Sequence, residues 1–300
     1  MHRSFFANKD TFINSGSDLI DGATFQDKNT GKDEVLEIKK VFFNKKFHAP
    51  TRALIQFDTN EIESYISSSV LPNDYKVNLR MYETEGVSGL SEEYDIAAYP
   101  LSQSWDEGVG KEADDPKTTD GCSWKFRKNN QGVELKWNDY SSSVSSSVDG
   151  EGDVTTFTTI HTSSFIEAEQ ISEGSYIQTD EVTQSFSSES PDINMDITTV
   201  AKKWFGGVNE NYGLLLRLSG SRETSSGSFE DLKFFSRQTN TIYSPKLEVR
   251  WDDSSHSFGS LTPLDVSGNT ENYLYQLHAR EAYKENETVK FRFGARKRYI

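Results

Sequence analysis

A single cysteine, Cys122, leaves no partner for an internal disulfide, so the chain needs no oxidising compartment to be stable. No apolar run approaches the roughly eighteen residues of a membrane-spanning helix. The opening MHRSFFANKDTFINSG also lacks the apolar stretch of a secretory signal. Synthesis in a cytoplasm without membrane insertion is therefore expected. Basic residues are in the minority, 32 Lys and Arg against 47 Asp and Glu. The resulting net charge of −15 argues against nucleic acid as a partner, because phosphate contacts need clustered Lys and Arg. Alanine and leucine are thin beside serine, threonine, asparagine and aspartate. That balance disfavours long helices and favours strands and turns.

The usual signatures of chemistry are missing too. The histidines, His2, His48, His161, His256 and His278, show no paired metal spacing, and one cysteine cannot complete a zinc cage. GxSxG, GxxxxGK[ST], GxGxxG and HExxH are absent. Carboxylate pairs such as Glu92/Glu93 and Asp114/Asp115 are what an acidic chain supplies in solvated loops. No catalytic residue, no metal ligand and no cofactor is expected. Calcium is the one ion for which oxygen ligands are present, in DDPKTTDG (114–121) and DGEGD (149–153). Neither matches the twelve-residue calcium loop, and acidic turns without a metal are the reading preferred.

What is present points to a packed β protein. Nineteen Phe, thirteen Tyr and five Trp are more aromatics than a disordered chain carries. Strand patterns bounded by turn residues recur: EVLEIKKVFF (34–43), TRALIQFD (51–58), YKVNLRMYET (75–84), EYDIAAYPL (93–101), GVELKW (132–137), VTTFTTIHT (154–162) and SFIEAEQI (164–171). YGLLLRLSG (212–220), DLKFFSR (231–237) and PKLEVRW (245–251) follow, and NYLYQLHA and TVKFRFGA end the chain. Two short helices are expected: TNEIESYIS (59–67), capped by Thr59 or Asn60, and DITTVAKKW (196–204), capped by Asp196 or Thr198 and stopped by Gly206–Gly207. DEGVGKEADDPKTTDG (106–121) and SSSVSSSVDGEGD (141–153) have the composition of weakly ordered loops. Most of the five tryptophans suit burial.

The order of DKNTGKDEVLEI (27–38), RALIQFD (52–58), VNLRMYE (77–83), SWDEG (104–108), DITTVAKKWFGGVNENYGLLLRL (196–218) and SPKLEVRW (244–251) resembles that of the DNRLRE-type β-sandwich domains, which sit among the carbohydrate-binding jelly rolls. The resemblance implies an all-β fold, an antiparallel jelly-roll sandwich over residues 1–251 with two short crossover helices. The segment 196–218 would then be a structural corner in which Ile197, Val200 and Trp204 cap the core. An insertion of about 138–191, a linker at 252–268 and a small β extension at 269–300 complete the expected domain plan. The end, ETVKFRFGARKRYI (287–300), resembles segments of virion proteins of large tailed phages.

Between Arg280 and Ile300 seven basic residues meet three acidic ones, about +4 on an otherwise acidic chain. Two functional readings follow. In the first, the chain is a tailed-phage virion component, and Lys290, Arg292, Arg296, Lys297 and Arg298 dock on another virion protein or a symmetry mate. In the second, it is a carbohydrate-binding module whose glycan partner stacks on Tyr140, Phe157, Phe165 and Tyr176 of the insertion. A depolymerising enzyme on the same scaffold ranks behind both.

Overall fold

The computed structural model describes residues 2–16, 25–43, 47–69, 75–84, 93–130, 133–137, 141–145, 156–160, 175–187, 192–224, 230–251, 272–277, 282–283 and 289–297. Their contacts define two units, Met1–Asp253 and Ser254–Ile300. The first unit carries β1 (His2–Asn14), β2 (Val35–Phe43), β3 (Phe47–Phe57), α1 (Thr59–Ser69), β4 (Tyr75–Met81), β5 (Glu93–Pro100), β6 (Phe126–Asn130), β7 (Val133–Lys136), β8 (Ser141–Ser145) and β9 (Thr156–Ile160). After these come β10 (Val182–Ser187), β11 (Ile193–Asp196), α2 (Thr198–Phe205), β12 (Leu214–Leu218), α3 (Ser221–Thr224), β13 (Asp231–Phe235) and β14 (Lys246–Trp251). The second unit is the pair β15 (Asn272–Leu277) and β16 (Arg292–Lys297).

The fold is all-β and follows a period of two. In β4, Val77, Leu79 and Met81 are buried and alternate with more exposed residues. The same alternation sends Phe5, Leu36, Ile38, Ile55, Ile96, Leu216, Phe234 and Leu247 into one core between two antiparallel layers. The strand path runs β10-β5-β12-β3-β1-β14-β4-β11, with β2 bridging β3 and β13. Strand β1 serves both layers: His2–Phe6 pair with β14, Ala7–Asn14 with β3, and the register shifts between Ala7 and Lys9. A shift of this kind bends a strand and lets one segment turn the corner of a sandwich.

The β3–β12–β5 layer is buried on both faces. Leu54, Ala97, Tyr99 and Leu215 point away from the first core into a second one, closed by Trp105, Trp124, Trp137, Tyr176 and the Cys122 thiol. This is why the LLLRL run of β12 has no polar face. Trp105 donates its indole N–H to Tyr212 O at 2.7 Å and Trp137 to Ser123 O at 2.8 Å, so the rings enter the core without stranding a donor.

The segment 196–218 is the corner the sequence indicates. Ile197, Val200, Ala201 and Trp204 belong to the first core, and the Asp196 carboxylate accepts from Thr198 N at 3.0 Å. Gly206 returns its N–H to Lys202 O. At Gly213, φ is +96°, and a Cβ there would fall 2.2 Å from Ile55 O; only glycine passes so close to β3 in that conformation.

Several expectations are corrected. The α1 cap is Asp58, whose carboxylate accepts from Asn60 N, rather than Thr59 or Asn60. The loop 106–121 is well organised rather than weakly ordered, because Asn29 anchors it. Ser141–Ser145, expected as part of a loop tip, pair as β8 with β9. Residues 182–187 form β10 on β5, so the sandwich's own sheet reaches back into the expected insertion. Strands β1, β6, β8, β10 and β11 were not among those expected, and SFIEAEQI lies outside the described residues.

The two ends of the strand path approach each other. The Gln184 side chain spans β10 to the β11 region: its Nε2 donates to Asp192 O at 3.2 Å, and its Oε1 accepts from Asn194 N at 2.8 Å. An amide side chain thus occupies the place of a ladder at the seam.

Candidate functional site

The second unit pairs Leu277 with Arg292, Gln276 with Phe293 and Tyr275 with Gly294. Lys290 and Arg292 are exposed at the start of β16. Arg296 and Lys297 lie on the β16 backbone opposite Tyr273 and Asn272. Arg298 lies outside the described residues. Apolar groups surround the two exposed cations: Phe293 is 66% exposed, Phe291 53%, and Tyr275 and Leu277 39% each. Tyr275 lays its ring over Gly294, where a Cβ would meet the ring at 2.5 Å. A two-stranded hairpin alone in water is marginal, and these side chains gain burial only from a further surface.

The residues expected to bind glycan do not gather. Tyr176 is 3% exposed and packs against Tyr99 at a 4.7 Å ring separation. It is a core residue and offers no platform. Phe157 sits in β9 opposite Val144. Tyr140 and Phe165 lie outside the described residues.

A more developed surface lies on the outer face of β2 and β13, where pairing sets Val35 opposite Phe235 and Glu37 opposite Lys233. The chain beyond β4 extends this face: Phe235 N donates to Tyr82 O and Thr84 N to Lys233 O. A cleft of about 370 Å³ opens there, lined by Asp33, Glu34, Glu37, Thr84, Glu112 and Lys233 among others. Burial pushes the Asp33 carboxyl up to about 6, against the Glu112 N–H that it accepts, and the Glu112 carboxylate adds to the rise. Burial likewise raises Glu37, which is held by a tight ion pair with Lys39. Beside the cleft, Tyr243 stacks on Phe235 at 5.4 Å and 25° and meets Tyr82 edge-on at 5.4 Å. Tyr243 is 45% exposed and Ile242 72%. Sequence reasoning missed this surface, because its carboxylates and rings come from five separate segments. Their only local signal was polar–apolar alternation.

A second carboxylate pair is buried. The Asp10 carboxylate accepts from Arg237 N at 2.6 Å, while Asp10 N donates to Glu107. Glu107 takes both arms of the Arg237 guanidinium, at 2.7 and 2.8 Å. Burial would raise Glu107, but the hydrogen bonds and charge of Arg237 hold it below its usual value. Burial pushes Asp10 up to about 7, opposed by the Arg237 N–H and reinforced by the Glu107 charge. The folded state therefore keeps a proton on Asp10 that the unfolded chain releases from about pH 4. The stability tied to this group is full below that value and declines as pH rises toward 7. Asp10→Asn is expected to stabilise the protein at pH 8 by about 1–3 kcal/mol and to change it little at pH 4. Urea unfolding at both pH values checks this, and an equal change at the two would show that the Asp10 charge is not responsible.

Among the described residues, no group of three or more His, Cys, Asp or Glu side chains is placed to hold a metal ion. In the 114–121 turn, Asp114 accepts from Lys111 N and Thr118 Oγ1, both at 2.8 Å, and the Lys28 ammonium donates to the Glu112 and Asp114 carbonyls. A lysine thus meets the carbonyls that a cation would seek. DGEGD lies outside the described residues. No helix among them is long and apolar enough to cross a membrane. No family model matches the chain, and no curated protein is found to be similar to it.

Proposed function

We propose that this chain is a non-enzymatic structural component of a tailed-phage virion, associated with tail, neck or fibre, that acts by protein–protein assembly. The observation that carries the proposal is the β15–β16 hairpin, which presents Phe291, Phe293, Tyr275 and Leu277 to solvent together with Lys290 and Arg292. Exposed aromatic residues interleaved with basic ones mark interaction surfaces. The likeness of residues 287–300 to phage virion segments and the order of the sandwich motifs support the same reading. Peptide mass spectrometry of purified particles of the encoding phage tests it. The chain should be found at a copy number comparable to other tail or neck proteins, and its absence from infectious particles would refute the virion assignment.

A second reading, polysaccharide binding, is favoured by the exposed Tyr243 ring beside a polar cleft. Sugar faces stack on such rings while carboxylates and ammonium groups take the hydroxyls. Affinity electrophoresis through gels containing host-surface polysaccharide checks it. Retardation lost in Tyr243→Ala would support this reading, and unretarded wild-type protein would remove it.

A further inference from the structure

We infer that the hairpin of one copy docks on the β2–β13 face of a second copy, joining molecules head to tail. This rests on the assembly reading above and names its partner. The first support is charge. Residues 254–300 hold seven Lys and Arg against five Asp and Glu, or +2, which leaves −17 of the total −15 on residues 1–253. Opposite surfaces on one chain attract between copies and steer their encounter.

The second support is that the two surfaces match in kind. The hairpin alternates Lys290, Phe291, Arg292 and Phe293, all exposed. The receiving face sets carboxylates beside rings: Glu34 and Glu112 are 60% and 43% exposed at the cleft, and Tyr243 and Ile242 flank it. Basic side chains of the hairpin meet the cleft, and its phenylalanines meet the Tyr82–Phe235–Tyr243 rings. The surfaces differ from each other, so the contact is heterologous. It repeats from copy to copy and closes into a ring or extends as a filament.

Light scattering on the full-length protein over a range of concentrations tests the inference with two charge reversals. These are Lys290→Glu with Arg292→Glu on the hairpin, and Glu34→Lys with Glu112→Lys on the receiving face. Wild type should associate as concentration rises. Each reversed protein alone should need about tenfold or more protein to reach the same mass, since like charges then oppose. An equimolar mixture should regain association, because the acidic hairpin of one meets the basic face of the other. Matching thermal melts confirm that the reversed proteins fold, and charge-neutral Gln replacements at the same positions serve where they do not. If the hairpin reversal weakens association and the face reversal leaves it at wild-type strength, the receiving face is wrong, while assembly through the hairpin stands. If wild type stays monomeric throughout, the self-docking inference is overturned, and the particle composition alone then decides the assembly reading.

Discussion

Asn29→Ala is expected to lower the unfolding free energy by about 3–5 kcal/mol, more than any surface change in this chain. Asn29 is fully buried and spends every hydrogen-bonding position of its amide on backbone. Its Nδ2 donates to Glu107 O and Cys122 O, both at 2.8 Å, and its Oδ1 accepts from Gly31 N at 3.1 Å and Gly110 N at 2.8 Å. Its own N–H reaches Thr118 O. Truncation leaves two carbonyls and two amides without these partners, each costing about 1–3 kcal/mol if water does not enter. The neighbours cannot close in, because the backbone already touches: a Cβ on Gly108, at φ +83°, would fall 2.4 Å from the Asn29 amide. The effect should be local as well as global. Loop 106–121 should become the first site of proteolysis, and the three tryptophans it helps to seal should gain solvent exposure in their fluorescence. Should the variant unfold within 1 kcal/mol of wild type, the loop is held by something other than Asn29.

Glu223→Ala should cost a similar amount, about 3–5 kcal/mol at pH 7, by the rule for breaking one side of a buried ion pair. The Glu223 carboxylate accepts from Arg52 Nε and Nη2 at 2.8 and 2.7 Å and from Arg217 Nη1 at 2.8 Å. Arg52 is 1% exposed and lies 5.0 Å from the Trp124 ring centroid; Arg217 faces Tyr99 at 5.2 Å. Without the carboxylate, two guanidinium groups lose their counterion among aromatic rings. Burial alone would raise the Glu223 carboxyl, but the two arginines hold it below its usual value. Its contribution is therefore present above about pH 4.5 and lost as pH falls through its lowered folded value, opposite in sign to Asp10. Urea unfolding of Glu223→Ala beside the Arg52→Met, Glu223→Leu double variant separates the causes. The double variant should recover most of the loss, because it removes the charges together. If it is as unstable as the single variant, packing rather than charge is the source.

The fold was legible where its signal is local. YKVNLRM announces its buried and wet faces by alternation, and the Trp204–Gly206–Gly213 spacing announces a turn into a buried strand. What was not legible depends on partners far along the chain. His2–Asn14 changes layers at Ala7–Lys9, so its two halves obey different alternations and no single period marks it. Residues 106–121 have a loop's composition, and their order comes from a side chain about eighty positions earlier. Tyr176 looked available because aromatics in polar surroundings often are; the fold puts it against Tyr99. Of the candidate surfaces, the basic end of the chain was readable as a run of charge. The β2–β13 face was not, since Asp33, Thr84, Glu112, Lys233 and Tyr243 become neighbours only once the layers close.

The Gln184 seam has a mechanical consequence. A backbone ladder shares load over many parallel bonds, whereas here one side-chain amide, with two hydrogen bonds, joins β10 to the residues about β11. Under tension across the sandwich this junction is the weak line, and it parts before the layers on either side of it. In a filament of docked copies, such a joint would let each subunit yield a little and reclose, so that the chain of molecules stretches without any subunit unfolding.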